Sequence, residues 1–215
     1  MASGFDNIVA NAEGWGGFAL AQPGTEPLSA MSAGYHAGSA IYDAFTGDRD
    51  GAIGHGVSAL YDGVTALPGS HEGLGVIDMA TSALGVLGRG IVGLDGGDAA
   101  DVPVGNADIL SGLAVAGTNA IFGPDDSNWI APGTVPQGTR LGEMTAGGAG
   151  LGAVAGMMVG NPLLGAAAGA AGIPLIGTAL GANPDGPTSG TRREGGEANG
   201  WAQRTGDWLY HQMYD

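Results

Sequence analysis

Between Met144 and Ala182 the chain carries no charged side chain, and in the first half of that stretch glycine recurs at every fourth position: Gly148, Gly152, Gly156 and Gly160. Four-residue spacing puts these glycines in one stripe of an α-helix. Because glycine has no Cβ, a second helix can approach along the stripe until the two backbones touch. Asn161-Pro162 interrupts the run, and a second apolar limb follows with Gly165 and Gly169, then Gly177 and Gly181, again four apart. The pattern predicts a glycine-zipper helical hairpin over 144–182, with these eight glycines as its helix-packing residues. It says more about how the chain packs than about any reaction.

The rest of the composition points the same way. Leu, Ile, Val and Phe together number 43 of 215 residues, too few to fill a conventional core, and 45 glycines add backbone entropy that folding must overcome. The mean hydropathy of +0.14 is nevertheless too high for a solvated disordered tail. Order is therefore expected from close backbone packing and from neighbouring subunits, which describes an assembly component better than a self-sufficient enzyme. A net charge of −15, with 21 acidic residues against six arginines and no lysine, argues against direct binding to nucleic-acid phosphates. The absence of cysteine removes disulfides, thiolate catalysis and Cys-type zinc sites. The start, Met1 to Asp6, has neither the basic residues nor the apolar run of a secretory signal.

Read along its length, the chain is expected to be mainly α, with short Gly/Ala-rich helices, the glycine-zipper hairpin and long irregular connections. Residues 1–30, with Trp15 and Phe18 ahead of Pro23 and Pro27, read as an extended N-terminal arm. A repeat-like helical region follows over 31–124, with helices predicted near 31–46, 52–66, 75–92 and 107–122. Within it, Ser39–Thr46 and Ser58–Thr65 match position by position at an offset of 19 residues. In each copy the apolar residues (Ile41 and Phe45; Leu60 and Val64) are four apart, as on one helical face. The segment 125–143 reads as an irregular connector, and 183–200, polar and rich in Gly and Pro, as a linker. An aromatic C-terminal tail occupies 201–215, where Trp201, Trp208, Tyr210 and Tyr214 are expected to anchor the chain on its own domain, a subunit or a membrane interface.

No constellation in the sequence carries recognisable chemistry. Gly88-Arg89-Gly90-Ile91-Val92-Gly93 fits G-x-G-x-x-G, but Leu94-Asp95-Gly96-Gly97-Asp98 follows it where a helix should begin. Asp48-Arg49-Asp50-Gly51 resembles the middle of a calcium loop, yet Thr46 and Val57 stand at its first and twelfth ligand positions, so a turn is the better reading. His36, His55, His71 and His211 are far apart and form no metal-ligand spacing. Gly69-Ser70-His71-Glu72-Gly73 reads as a polar turn. No catalytic residue, cofactor or metal site is expected on these grounds.

The Gly148-x3-Gly152-x3-Gly156-x3-Gly160 stripe, in a cysteine-free chain without a signal sequence, resembles the glycine-zipper segments of virion proteins from tailed bacteriophages and archaeal viruses, including proteins ejected with the genome. The resemblance covers about 40 residues. It implies a non-enzymatic virion structural or genome-ejection protein that penetrates membranes and acts by self-assembly. Its expected partners are further copies of itself and other virion proteins, its expected location the virion. The alternative is a secreted effector or toxin, free or membrane-associated, whose hairpin inserts into a target membrane. At 1.5 Å per residue the two limbs just span a hydrocarbon core of ~30 Å. Glycine and alanine add little transfer free energy, so soluble packing and membrane contact both stay open.

Overall fold

The computed structural model describes residues 15, 19, 22, 24–70, 75–94, 102–123, 138–182, 184–185 and 200–214, except the side chains of residues 75, 76, 93, 94 and 200. Seven α-helices of substantial length account for nearly all of them, and the described residues contain no strand: the protein is mainly α. In chain order these are α1 (Glu26–Thr46), α2 (Arg49–Thr65), α3 (Gly75–Leu94), α4 (Gly105–Phe122), α5 (Arg140–Met158), α6 (Pro162–Ala179) and α7 (Gly200–Tyr214).

Local chemistry explains the ends of these helices. Gly47, at φ 84°, closes α1 in the left-handed region and passes its N–H to Asp43. The next residue, Asp48, already caps α2 by accepting from the Gly51 N–H at 2.7 Å. Thr139 caps α5 through Gly142 N–H, and Asn161 caps α6 through Leu164 N–H, with Pro162 following at the first helical position.

The helices pack in a series. α6 lies on α5, α5 on α1, α1 on α2, α2 on α4, and α4 carries both α3 and α7. No large apolar core results. Among the described residues the buried apolar side chains are Val104, Val115, Ala116, Ala120, Pro174, Ala182 and Ala202, and the one cluster among them sits where α4 meets α7, flanked by Ile53 and Trp201.

Polar side chains occupy the interior instead. Ser29, Ser39, Asp43, Asp48, Asp50, Ser58 and Asp62 of the first two helices and their link are buried, as are Arg89, Asn119 and Glu143. One such group joins three helices: Arg49 donates to Asn119 Oδ1 and to the Gly123 carbonyl at 2.8 Å, and Asp50 accepts from Asn119 at 2.9 Å and from Gln203 at 3.1 Å. The large apolar side chains face outward. Ile41, Phe45, Leu60 and Val64 do form one face per helix, but that face is exposed, with Phe45 and Leu60 each 74% accessible. The same holds for Leu84, Leu87 and Ile91 of α3.

Several boundaries differ from expectation. The extended arm over 1–30 is corrected at its C-terminal end, since 26–30 are the first residues of α1 and tolerate Pro27 in the opening turn. Most of the remaining arm lies outside the described residues. The connector over 125–143 ends earlier than expected, because Thr139 caps α5 and the helix's first turn holds Glu143. The remainder of that connector through 137, and most of the linker over 183–200, lie outside the described residues. The aromatic tail is a helix, α7.

Candidate functional site

Six of the eight glycines singled out from the sequence lie in the contact between α5 and α6, five of them against backbone. A Cβ on Gly148 would run into the Gly169 carbonyl, one on Gly152 into the Gly165 carbonyl, and one on Gly156 would stand 2.5 Å from the Asn161 carbonyl oxygen. Gly165 and Gly169 return these contacts, so the two helices run antiparallel with their backbones touching. Gly177 instead faces the Met144 sulfur, and Gly160 (φ 80°) and Gly181 (φ 100°) occupy left-handed turn positions after each helix. These last two serve the turns, where a residue with a Cβ is strained.

A second glycine contact, not singled out from the sequence, holds the other side of α5. Gly34 and Gly38 of α1, four residues apart, meet the carbonyls of Gly150 and Ala146. α5 is thus clasped between two helices at backbone distance. The spacing in α1 was readable, but it stands alone as one Gly-x3-Gly pair and not as a run of four such glycines.

The four C-terminal aromatics divide. Trp201 and Tyr210 pack on α4, against Gly112 and Gly123, while Trp208 and Tyr214 are exposed. Trp201 and Trp208 share a face of α7, where they line a shallow groove with Arg204 and Thr205.

The densest titratable group lies where the C-terminal half of α1, the first half of α2 and the first turn of α5 converge. Asp43 is fully buried, and neither of its carboxylate oxygens has a hydrogen-bond partner. His55 Nε2 stands 2.9 Å from Glu143 Oε1 and 3.9 Å from Asp43 Oδ2. One ligand atom from each of the three residues lies within 4.8 Å of the others. Behind His55, its Nδ1 meets His36 Nδ1 at 2.9 Å, so one nitrogen donates and the other accepts. His36 Nε2 in turn lies 3.8 Å from Asp62, which accepts from the Ser32 hydroxyl at 2.6 Å.

The electrostatics follow from burial. Removal from water, reinforced by the carboxylates of Glu143 and Asp48, pushes the Asp43 carboxyl up to about 10. Burial likewise lifts Asp62 to about 6, against the Ser32 hydrogen bond that favours its charged form. Burial and the facing His55 push His36 down to about 3, so its ring is neutral near pH 7. Two carboxylates and an imidazole converging in a buried space form a donor set suited to a cation.

In sequence the histidines are far apart, whereas the fold brings His36 and His55 into contact. A signal for this existed. The offset of 19 that relates Asp43 to Asp62 also relates His36 to His55. Asp48-Arg49-Asp50-Gly51, expected as a turn, is instead the start of α2: Asp48 is its cap and Arg49 to Gly51 are helical. Comparison of the chain with protein-family models, curated proteins and solved structures finds no match.

Proposed function

We propose that this chain is a non-enzymatic structural protein that acts by self-assembly, its outward apolar helix faces covered by further copies and its α5–α6 pair making contact with a membrane. A virion, with membrane penetration during genome delivery, is the setting suggested by the glycine-zipper resemblance. The observation that carries the reading is the reversal of inside and outside: Asp43, Asp50 and Asn119 are buried while Phe45, Leu60, Leu163 and Leu175 face out. Apolar surface is stabilised by removal from water, at about 25 cal/mol per Å², and contiguous exposed patches of it mark surfaces that meet partners or lipid. α6 supports the membrane component. It is long and apolar enough to cross a bilayer, and only 6% of its apolar window is buried.

Flotation of the full chain with lipid vesicles tests membrane contact. The wild type is expected to float with the vesicles, and Leu175→Asp/Ile176→Asp in the exposed part of α6 to remain at the bottom of the gradient. The effector reading shares this outcome but further requires that the free chain release a trapped dye from vesicles. In the virion reading the protein co-sediments with particles.

A further inference from the structure

We propose that Asp43, His55 and Glu143 bind a divalent metal ion, with zinc as the best chemical match, and that this ion ties α1 and α2 to the start of α5. The site is separate from the assembly faces, and neither proposal depends on the other.

The donor atoms come from three helices, and residues 88 apart in sequence, His55 and Glu143, meet at 2.9 Å. Zinc accepts imidazole nitrogen and carboxylate oxygen at about 2.0–2.2 Å, which places the ligand atoms of a tetrahedral site about 3.3–3.6 Å apart. The His55 separations, 2.9 Å to Glu143 and 3.9 Å to Asp43, lie on either side of that span, and all three ligand atoms lie within 4.8 Å of one another. Binding would draw the two carboxylates in around the ion. Calcium is a poorer match, because it takes six to eight oxygen ligands, and magnesium likewise prefers an octahedral oxygen shell to an imidazole.

Asp43 supplies the independent observation. Buried polar atoms in folded proteins nearly always have partners, and an orphaned acceptor costs stability. Both Asp43 oxygens lack a hydrogen bond, although the side chain is fully buried and aimed at His55 and Glu143. A simple His55–Glu143 ion pair accounts for the 2.9 Å contact but leaves Asp43 unserved at 3.9 Å. A cation between the three satisfies all of them.

The surroundings suit the role. A ligating histidine typically donates its second ring N–H to a neighbour that fixes its orientation. With His55 Nε2 on the ion, Nδ1–H donates to His36 Nδ1, leaving the His36 Nε2–H directed towards Asp62. Gly51 makes room, since a Cβ there would stand 2.8 Å from Asp43 Oδ2.

The test uses the full chain, stripped with a chelator, loaded with zinc sulfate alone and passed through a desalting column. Wild type is expected to retain one zinc per chain and to melt at a higher temperature than the stripped protein. Asp43→Asn and Glu143→Gln, both close isosteres, should each lower retained zinc at least about tenfold and abolish the rise in melting temperature. The ¹⁵N signal of the His55 ring in the wild type gives the same information without a substitution: it should move on zinc addition while that of His211 does not. A wild type that retains no zinc, substituted chains that retain as much as wild type, or an unmoved His55 signal would each overturn the proposal.

Discussion

Gly152 and Gly165 face each other so closely that a Cβ on either would collide with the carbonyl oxygen of the other. Gly172, on the same helix as Gly165, has nothing within 4 Å of where its Cβ would be. The same substitution should therefore act with opposite sign at the two places. Gly152→Ala forces α5 and α6 apart and is expected to destabilise by about 1–3 kcal/mol, the usual cost of overpacking. Gly172→Ala is expected to stabilise by up to ~1 kcal/mol, because alanine is the better helix former and its methyl group meets open space. Thermal melts followed by circular dichroism compare the two; equal effects would show that the close approach contributes nothing specific.

Arg49 ties the start of α2 to the end of α4 by donating to Asp50, Asn119 and the Gly123 carbonyl. Arg49→Met keeps much of the side chain's length but removes the cation beside Asp50, whose side chain is almost wholly buried. Breaking such a pair from one side is expected to cost about 3 kcal/mol, because a buried carboxylate loses its counter-charge. Arg49→Met/Asp50→Asn should recover part of that loss. Denaturant melts of the single and double variants measure the coupling, and an additive double variant would contradict it.

The helices were legible because their apolar spacing and their Gly and Pro stops are local signals. Their direction of facing was not. Four-residue spacing groups Ile41 with Phe45 and Leu60 with Val64, but it does not say whether that group meets the interior, and here Asp43 and Ser39 do so instead. The glycine stripe from Gly148 to Gly156 pointed to a close helix contact, since only a missing side chain permits one. Gly160 and Gly181 fit the same spacing but serve turns, a distinction that depends on where each helix ends. The Asp43, His55 and Glu143 cluster is harder to foresee, because Glu143 arrives from a distant helix whose first turn reads in sequence as part of a connector. Two of its three members were nearer to hand: Asp43 lies in the repeat, and His55 is related to His36 by the same offset that relates Asp62 to Asp43.

Asp62 should leave a mark on the pH dependence of stability. Its folded value near 6 lies above the ordinary 3.8, so between these values the folded chain binds more protons than the unfolded chain. The contribution of Asp62 is therefore greatest below about pH 4, falls as pH rises to about 6 and is level above that. Asp62→Asn removes the titration while keeping an acceptor for Ser32. The stability of wild type minus that of Asp62→Asn should decline across this window, and a difference that stayed flat or rose would contradict the assigned shift.

The central claim is that the outward apolar faces are covered by other copies of the chain. Sedimentation velocity and thermal melting of the full-length protein across a dilution series test it most directly. The account predicts an assembly larger than one chain at high concentration, with a melting temperature that falls as the protein is diluted. A monomer at every concentration, unfolding cooperatively at an unchanged temperature, would contradict it.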